Sequence, residues 1–215
     1  MIILYSGTPG SGKSLHVAEK IRAGLVLGKP CICNFPIADE KIKHKKAEFI
    51  YKDNAELTPQ FLMDYASSYL SAHSNWNVHK VEGAIKLFID EAQLLFNSRE
   101  YTQKDRKEWL RFLTQHRHFG YDIYLITLFD RMLDRQIRAL IEDEFMHRKV
   151  ANMGKMGWIV GHLTIKPLFY YRHLWYPMKE RIGGNFFVAN KRNYSLYDTH
   201  YIFKKEESGQ TEHGD

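Results

Sequence analysis

Gly7-Thr8-Pro9-Gly10-Ser11-Gly12-Lys13-Ser14 stands directly after the apolar run Ile2-Ile3-Leu4-Tyr5. Behind it, Leu15, Ala18, Ile21 and Leu25 recur at intervals of three or four until Gly28 and Pro30. The string satisfies G-x-x-x-x-G-K-[ST], and its setting is the one that gives the string a mechanism: a buried strand, a glycine loop, a helix over about 13–27. Glycines allow a tight turn whose N–H groups point inward and form an anion cradle. The helix N-terminus adds the positive end of its dipole. Lys13 is then a point charge for β- and γ-phosphates, and the Ser14 hydroxyl is a ligand for Mg²⁺. Gly7, Thr8, Pro9, Gly10, Ser11, Gly12, Lys13 and Ser14 are the expected nucleotide-binding residues.

Working outward, the next apolar run, Ile85–Ile89, ends in Asp90-Glu91. A carboxylate at the C-terminal end of a buried strand holds the Mg²⁺ shell in nucleotide hydrolases, which is the role expected of Asp90. Glu91 is placed to act as general base on an attacking water. The same pair at a loop or helix start would otherwise serve only a helix dipole. A third cluster runs Gln115-His116-Arg117-His118-Phe119-Gly120-Tyr121, followed by a strand through Thr127. If that strand lies between the phosphate-loop strand and the Asp-Glu strand, Thr127 falls near the γ-phosphate. Arg117 is a candidate arginine finger reaching a neighbouring subunit, with dipole compensation at a helix C-terminus as the competing reading. Arg131, Arg135 and Arg138 fit a solvated helix face better.

The rest of the chain alternates strand and helix. Strands are expected at 30–37, 49–51, 85–89 and 121–128, and helices at 59–72, 104–118 and 131–140. Thr58-Pro59 is a favoured helix start. Alternation of this kind implies a parallel sheet with helices on both faces. After about residue 143 the aromatic-rich stretches 158–165, 168–176 and 186–189 read as strands of an antiparallel extension. The expected organisation is a domain over 1–203, with a nucleotide-binding core at 1–145, an extension at 146–203 and a disordered tail at 204–215. Residues 74–82 read as a polar loop.

Composition agrees with one globular domain. The chain has 215 residues, 44% hydrophobic and 26% charged, and 31 basic against 25 acidic residues give a formal charge of +6. That balance permits contact with nucleic acid or anionic lipid without specifying either. Two cysteines, Cys31 and Cys33, make no disulfide scaffold and no zinc set, and read as buried thiols. No stretch approaches the roughly 20 apolar residues of a membrane span, and no signal peptide is evident, so the chain is expected to be soluble. Tyr170, Tyr171, Arg172, His173, Trp175 and Tyr176 form an aromatic–basic stripe. It fits stacking on single-stranded nucleic acid or the plain alternation of core and surface residues in a hairpin.

Taken together, the phosphate loop, Ile89-Asp90-Glu91-Ala92-Gln93 and His116-Arg117-His118 with Asp122-Ile123 and Leu125-Ile126-Thr127 resemble the zonula occludens toxin (Zot) family, which includes the assembly ATPases of filamentous phages. The resemblance is motif-bearing over about 1–145. Position 128 is Leu where members of the family often carry Gln. The resemblance implies an α/β P-loop NTPase with a RecA-like parallel sheet and a C-terminal antiparallel strand extension, using ATP and Mg²⁺. It further implies a cytoplasmic domain at the bacterial inner membrane, anchored through a segment absent from this chain. It implies a homo-oligomeric ring whose partners are phage assembly and coat proteins and phage single-stranded DNA. Lys13, Ser14, Asp90 and Glu91 match the family's motif positions. Three other readings stay open: a DNA-translocating or packaging motor of the same fold, a nucleotide kinase, and a nucleotide-operated switch without turnover.

Overall fold

A computed structural model describes residues 1–73, 82–96, 103–164 and 166–196. The expected tail at 204–215, and nearly all of the expected loop at 74–82, lie outside the described residues. The strands are β1 (Ile2–Ser6), β2 (Cys31–Cys33), β3 (Phe49–Tyr51), β4 (Ile85–Ile89), β5 (Tyr121–Ile126), β6 (Asp143–Lys149), β7 (Leu168–Trp175) and β8 (Glu180–Val188). They form one sheet in the order β3-β2-β4-β5-β1-β6-β7-β8. β3 through β6 in that order run parallel, and β7 and β8 add an antiparallel hairpin.

The helices are α1 (Lys13–Val26), α2 (Pro59–Ala72), α3 (Gln103–Gln115), α4 (Arg135–Arg138), α5 (Gly154–Leu163) and α6 (Lys191–Tyr194). α2 begins where its sequence predicts. Pro59 occupies the first turn, and the Thr58 hydroxyl accepts from the Phe61 amide at 3.2 Å. The strand alternation divides the core between the two faces of the sheet. Ile2, Leu4, Ile32, Leu87 and Ile123 pack with Leu62, Phe112 and Leu113 on the α2 and α3 side. Ile3, Tyr5, Cys31, Cys33, Phe88 and Tyr124 pack with Val17, Ile21 and Leu25 of α1. Burial pushes the Cys31 thiol up to about 12 and raises Cys33 as well, so both stay protonated and inert.

Several expectations are corrected. Residues 158–165 are not a strand: Gly154–Leu163 is helix. A short apolar run does not by itself separate helix from strand. A further strand, β6, has the sequence Asp-Glu-Phe-Met-His-Arg-Lys, whose polar composition hides a position between β1 and β7. The expected helix 131–140 is a 3-10 turn at Asp130–Met132 followed by the one-turn α4, which Asp134 caps through the Gln136 amide. The strand expected at 30–37 is shorter, closing at Cys33.

Under α1 lies a buried relay whose tautomers follow from its end groups. The Ser6 carbonyl can only accept, so Nδ1–H of His147 donates to it at 3.3 Å. Nε2 of His147 is then an acceptor, and Nδ1–H of His16 donates to it at 2.9 Å. Nε2 of His16 in turn accepts from the Tyr5 hydroxyl at 3.4 Å. Protonating both rings would set two donors face to face, and in this arrangement both are neutral. Burial is the main force holding them so, taking His16 down to about 2 and His147 to about 4. The unfolded chain binds those protons near pH 6.5 and the folded chain does not. Stability is therefore full above about pH 6.5 and falls as the pH drops toward 4. The expected slope steepens toward two protons, about 3 kcal/mol per pH unit. Urea unfolding between pH 7.5 and 5 measures it, and the slope should be shallower in His147→Asn.

Candidate functional site

The parallel register fixes where the chemistry gathers. β1, β4 and β5 all point their C-terminal ends the same way, with β5 between the other two. Gly7 through Gly12 therefore emerge beside the turn that follows β4 and the loop that follows β5. The Gly7 amide donates to the Leu128 carbonyl at 3.1 Å, which ties the phosphate loop to the β5 loop through backbone alone. Leu at position 128 is compatible with that role because its side chain takes no part in it.

The loop's glycines are required by conformation and by space. Gly7 has φ 144°, and a Cβ there would stand 2.5 Å from the His147 carbonyl oxygen. Gly12, the N-cap of α1, has φ 95°, and a Cβ would meet the Phe169 ring at 2.8 Å. Gly10 has φ 70° but faces open space. No side chain caps α1, so the orphan amides of its first turn are offered to whatever the loop encloses. The Ser11 hydroxyl is buried there without a hydrogen-bond partner. Lys13 folds back over the loop, its ammonium donating to the carbonyls of Gly7 at 2.6 Å and Thr8 at 3.3 Å. Burial lowers its pKa, opposed by the carboxylates of Asp90 and Glu91. Thr8, Pro9 and Gly10 form the exposed rim, and Ser14 is half-buried in the first turn of α1. An uncapped helix end, a buried orphan hydroxyl and a lysine held on carbonyls together fit a phosphate chain.

The acidic turn is built by residues that sequence reasoning passed over. Asn34, just beyond β2, accepts from the Asp90 amide at 2.7 Å and donates to the Asp90 carbonyl at 2.8 Å. It fixes the backbone of Asp90 from both sides. Asp90 Oδ1 accepts from the Glu91 amide at 2.9 Å, and Glu91 sits at φ 47°, a left-handed conformation unusual for its side chain. Gln93 donates to the Glu91 carboxylate and accepts from the Thr127 hydroxyl at 2.7 Å. Thr127 is buried, so a continuous polar chain connects β5 to Glu91. The sequence signal for both was position: an amide side chain immediately after a buried strand that adjoins β4, and another two residues past the acidic pair.

A cleft of about 510 Å³ starts at Ser6, Gly7 and Thr8 and runs past Leu128 and Asp130 to Met146 and Arg148. At its floor Glu144, buried, accepts from the Ser6 hydroxyl at 2.6 Å and from Lys179 at 2.9 Å. Lys179 also reaches Asp130 at 2.9 Å.

Arg117 is not brought to this site within the chain. It precedes β5, so it lies at the opposite, N-terminal end of the strands, about one strand length away. There it pairs with Glu142 and, at 3.6 Å, with Glu82. Among the other arginines, Arg106 rather than Arg138 makes the local ion pair, holding Asp134 at 2.9 and 3.1 Å. Among the described residues no group of three or more His, Cys, Asp or Glu side chains is arranged to hold a metal.

The profile of the family described as "Zonular occludens toxin (Zot)" matches residues 1–198. The chain belongs to the Zot family. Among solved structures it is similar to the N-terminal domain of zonular occludens toxin from Neisseria meningitidis, at 20% identity and TM-score 0.55. That match covers 92% of this chain and 98% of the other. It is also similar to the pCW3 conjugation coupling protein TcpA with ATPγS, at 17% identity and TM-score 0.52, covering 95% and 64%. A third similar structure is that of an ATPase domain, at 8% identity and TM-score 0.57, covering 92% and 84%. No curated protein sequence matches the chain significantly. The fold of this Zot domain is that of the P-loop NTPases, and among the described residues no helix is long and apolar enough to cross a membrane.

The loop geometry separates its glycines experimentally. Gly7→Ala forces a Cβ onto a backbone carbonyl and is expected to destabilise by about 2 kcal/mol or more. Gly10→Ala carries only left-handed strain, about 1 kcal/mol. Thermal unfolding of the two variants measures the difference.

Proposed function

We propose that this Zot domain is an ATP-hydrolysing motor that drives assembly and extrusion of filamentous phage at the cytoplasmic face of the bacterial inner membrane. The observation that carries the hydrolytic part is the chain Thr127–Gln93–Glu91 beside Asp90 and the phosphate loop. A carboxylate held by its own hydrogen-bonded support next to a phosphate cradle suits activation of water. A kinase has no need of it. Water attacks the γ-phosphorus, its proton passes to Glu91, and the bond to the leaving ADP oxygen breaks. Lys13 leaves its loop carbonyls for the β- and γ-phosphates, where its positive charge offsets the charge that develops. Ser14 and Asp90 would hold Mg²⁺, which supplies charge neutralisation on the same oxygens. Two protein oxygens completed by nucleotide oxygens are an ordinary Mg²⁺ arrangement.

Phage extrusion rests on membership of the Zot family. A homo-oligomeric ring, with phage assembly and coat proteins as partners and a membrane segment outside this chain, belongs to the same reading. Within it Arg117 acts only in trans, on a neighbour's nucleotide, and must release Glu142 to do so. A DNA-translocating motor is the second reading, favoured by the basic open sheet face described below.

ATP turnover against protein concentration tests the proposal. Turnover per subunit should rise with concentration and be lost in Lys13→Ala and Glu91→Gln. Binding without turnover at every concentration would overturn it in favour of a switch. Gln93→Ala should lower kcat about 10-fold or more with little change in KM, because it frees Glu91 without touching the phosphate loop. Arg117→Ala should cost at most about 1 kcal/mol of stability, as an exposed ion pair does. As a trans finger it should also cost about 10³-fold in turnover, and unchanged turnover would remove it from the site.

A further inference from the structure

β6, β7 and β8 extend the sheet beyond the phosphate-loop strand, and their two faces differ. In register, His147 lies opposite Tyr171, and Phe169 opposite Phe187. These side chains turn toward α1: Tyr171 stacks on His16 at 4.9 Å, and Phe169 and Phe187 lie against Gly12. The other face carries a different set. Arg148 lies opposite Tyr170, and Tyr170 opposite Phe186, so the three form one row across three strands. Arg172, two residues on, lies opposite Gly184, and Arg181 lies opposite Leu174.

Toward Phe186 this second face is open to solvent, while Glu144 and Leu174 on it are buried. Phe186 is 57% exposed, and Arg148, Arg172 and Arg181 are all exposed. The hydroxyl end of Tyr170 lies over Gly184, where a Cβ would stand 2.4 Å from the hydroxyl oxygen. That hydroxyl accepts from Arg181 at 3.1 Å, and the ring is 4.9 Å from Phe186. Among the described residues no carboxylate pairs with any of the three arginines. The nearby Glu144 is buried and already satisfied by Ser6 and Lys179. The aromatic–basic stripe legible in the sequence is thus split: Tyr171 and His173 go to the α1 side, while Tyr170 and Arg172 stay outside.

We propose that this face is a platform for single-stranded nucleic acid, with Tyr170 and Phe186 stacking on bases and Arg148, Arg172 and Arg181 contacting phosphates. Aromatic rings flanked by guanidinium groups that no carboxylate neutralises match a polymer of flat bases and regularly spaced anions. Duplex is disfavoured because its base faces are already stacked. β6 connects the platform to the nucleotide site, since Met146 and Arg148 also line the cleft that starts at Gly7. The inference deepens the motor reading by naming the polymer and its track, and binding itself does not depend on turnover.

Fluorescence anisotropy of a 5′-labelled 20-nucleotide oligo(dT) with the 215-residue chain, without ATP, is the test. With three phosphate contacts the salt slope should be about −2, or roughly 20-fold weaker binding from 50 to 200 mM NaCl. Phe186→Ala should weaken binding about 10-fold with the slope unchanged. Arg172→Gln should weaken it and reduce the slope by about 0.7. Neither residue touches the phosphate loop, so basal ATP turnover and the unfolding temperature should stay at wild-type values. Lys13→Ala should bind oligo(dT) normally while losing turnover. Oligo(dT) binding by a chain without turnover would sink the motor reading alone. Absence of binding at 50 mM NaCl, or binding that both face variants leave intact, would overturn the platform. So would capture by phosphatidylglycerol vesicles that Phe186→Ala and Arg172→Gln abolish while oligo(dT) binding survives.

Discussion

A Cβ on Gly7 would stand 2.5 Å from the carbonyl oxygen of His147, and the Gly7 amide is meanwhile held by the Leu128 carbonyl. The first residue of the phosphate loop is therefore wedged between the strands on either side of β1, and only a residue without a side chain fits. That contact sets where the loop starts, how close β6 lies to it, and where the cleft opens. His147 occupies this place because the relay beneath it is satisfied from Tyr5 through His16 to the Ser6 carbonyl. A buried, neutral imidazole pair thus holds the backbone that shapes the anion cradle.

The acidic turn obeys the same logic from the other side of β5. Asp90 lies just past the last residue of β4, where the ladder no longer holds its backbone. Asn34 holds it instead, at both the amide and the carbonyl. Glu91 accepts a strained backbone conformation, and Gln93 ties its carboxylate to Thr127, just past the end of β5. Support of this kind keeps an exposed carboxylate in place without burying it. The loop after β5 is common to both halves of the site, through Leu128 on one side and Thr127 on the other. Thr127 and Leu128, consecutive in sequence, thus join the phosphate loop to Glu91 by hydrogen bonds.

The sheet extends this coupling outward. Glu144 at the cleft floor is joined to Ser6, and through Lys179 to Asp130 and the β7–β8 turn. The hairpin packs one face on Gly12 and presents the other to solvent. A single strand, β6, thereby belongs to the cradle, the cleft and the open aromatic–basic face.

The phosphate loop, its flanking strand and helix, the acidic pair after β4 and the alternation of strands and helices to residue 126 were all legible in the amino-acid order. Each rests on local chemistry: glycines at tight positive-φ turns, apolar runs bounded by breakers, a proline after a capping threonine. Family membership followed from the same motifs. Position in space was not legible. Asn34 and Gln93 are ordinary polar residues until the sheet order sets them beside Asp90 and Glu91. Arg117 reads as a residue free to serve a neighbour, but the parallel register puts it at the far end of the strands. β6 is hidden because a strand stabilised by neighbours on both sides can carry Asp143, Glu144 and His147 once they find partners in distant parts of the chain, and Arg148 and Lys149 where it reaches solvent. The helix at 154–163 is hidden because a ten-residue run made mostly of apolar and glycine residues has no periodicity that excludes either form. Local patterns decide which elements exist where breakers and caps are strong; long-range pairing decides the rest, because burial and hydrogen bonds there are satisfied only across the fold.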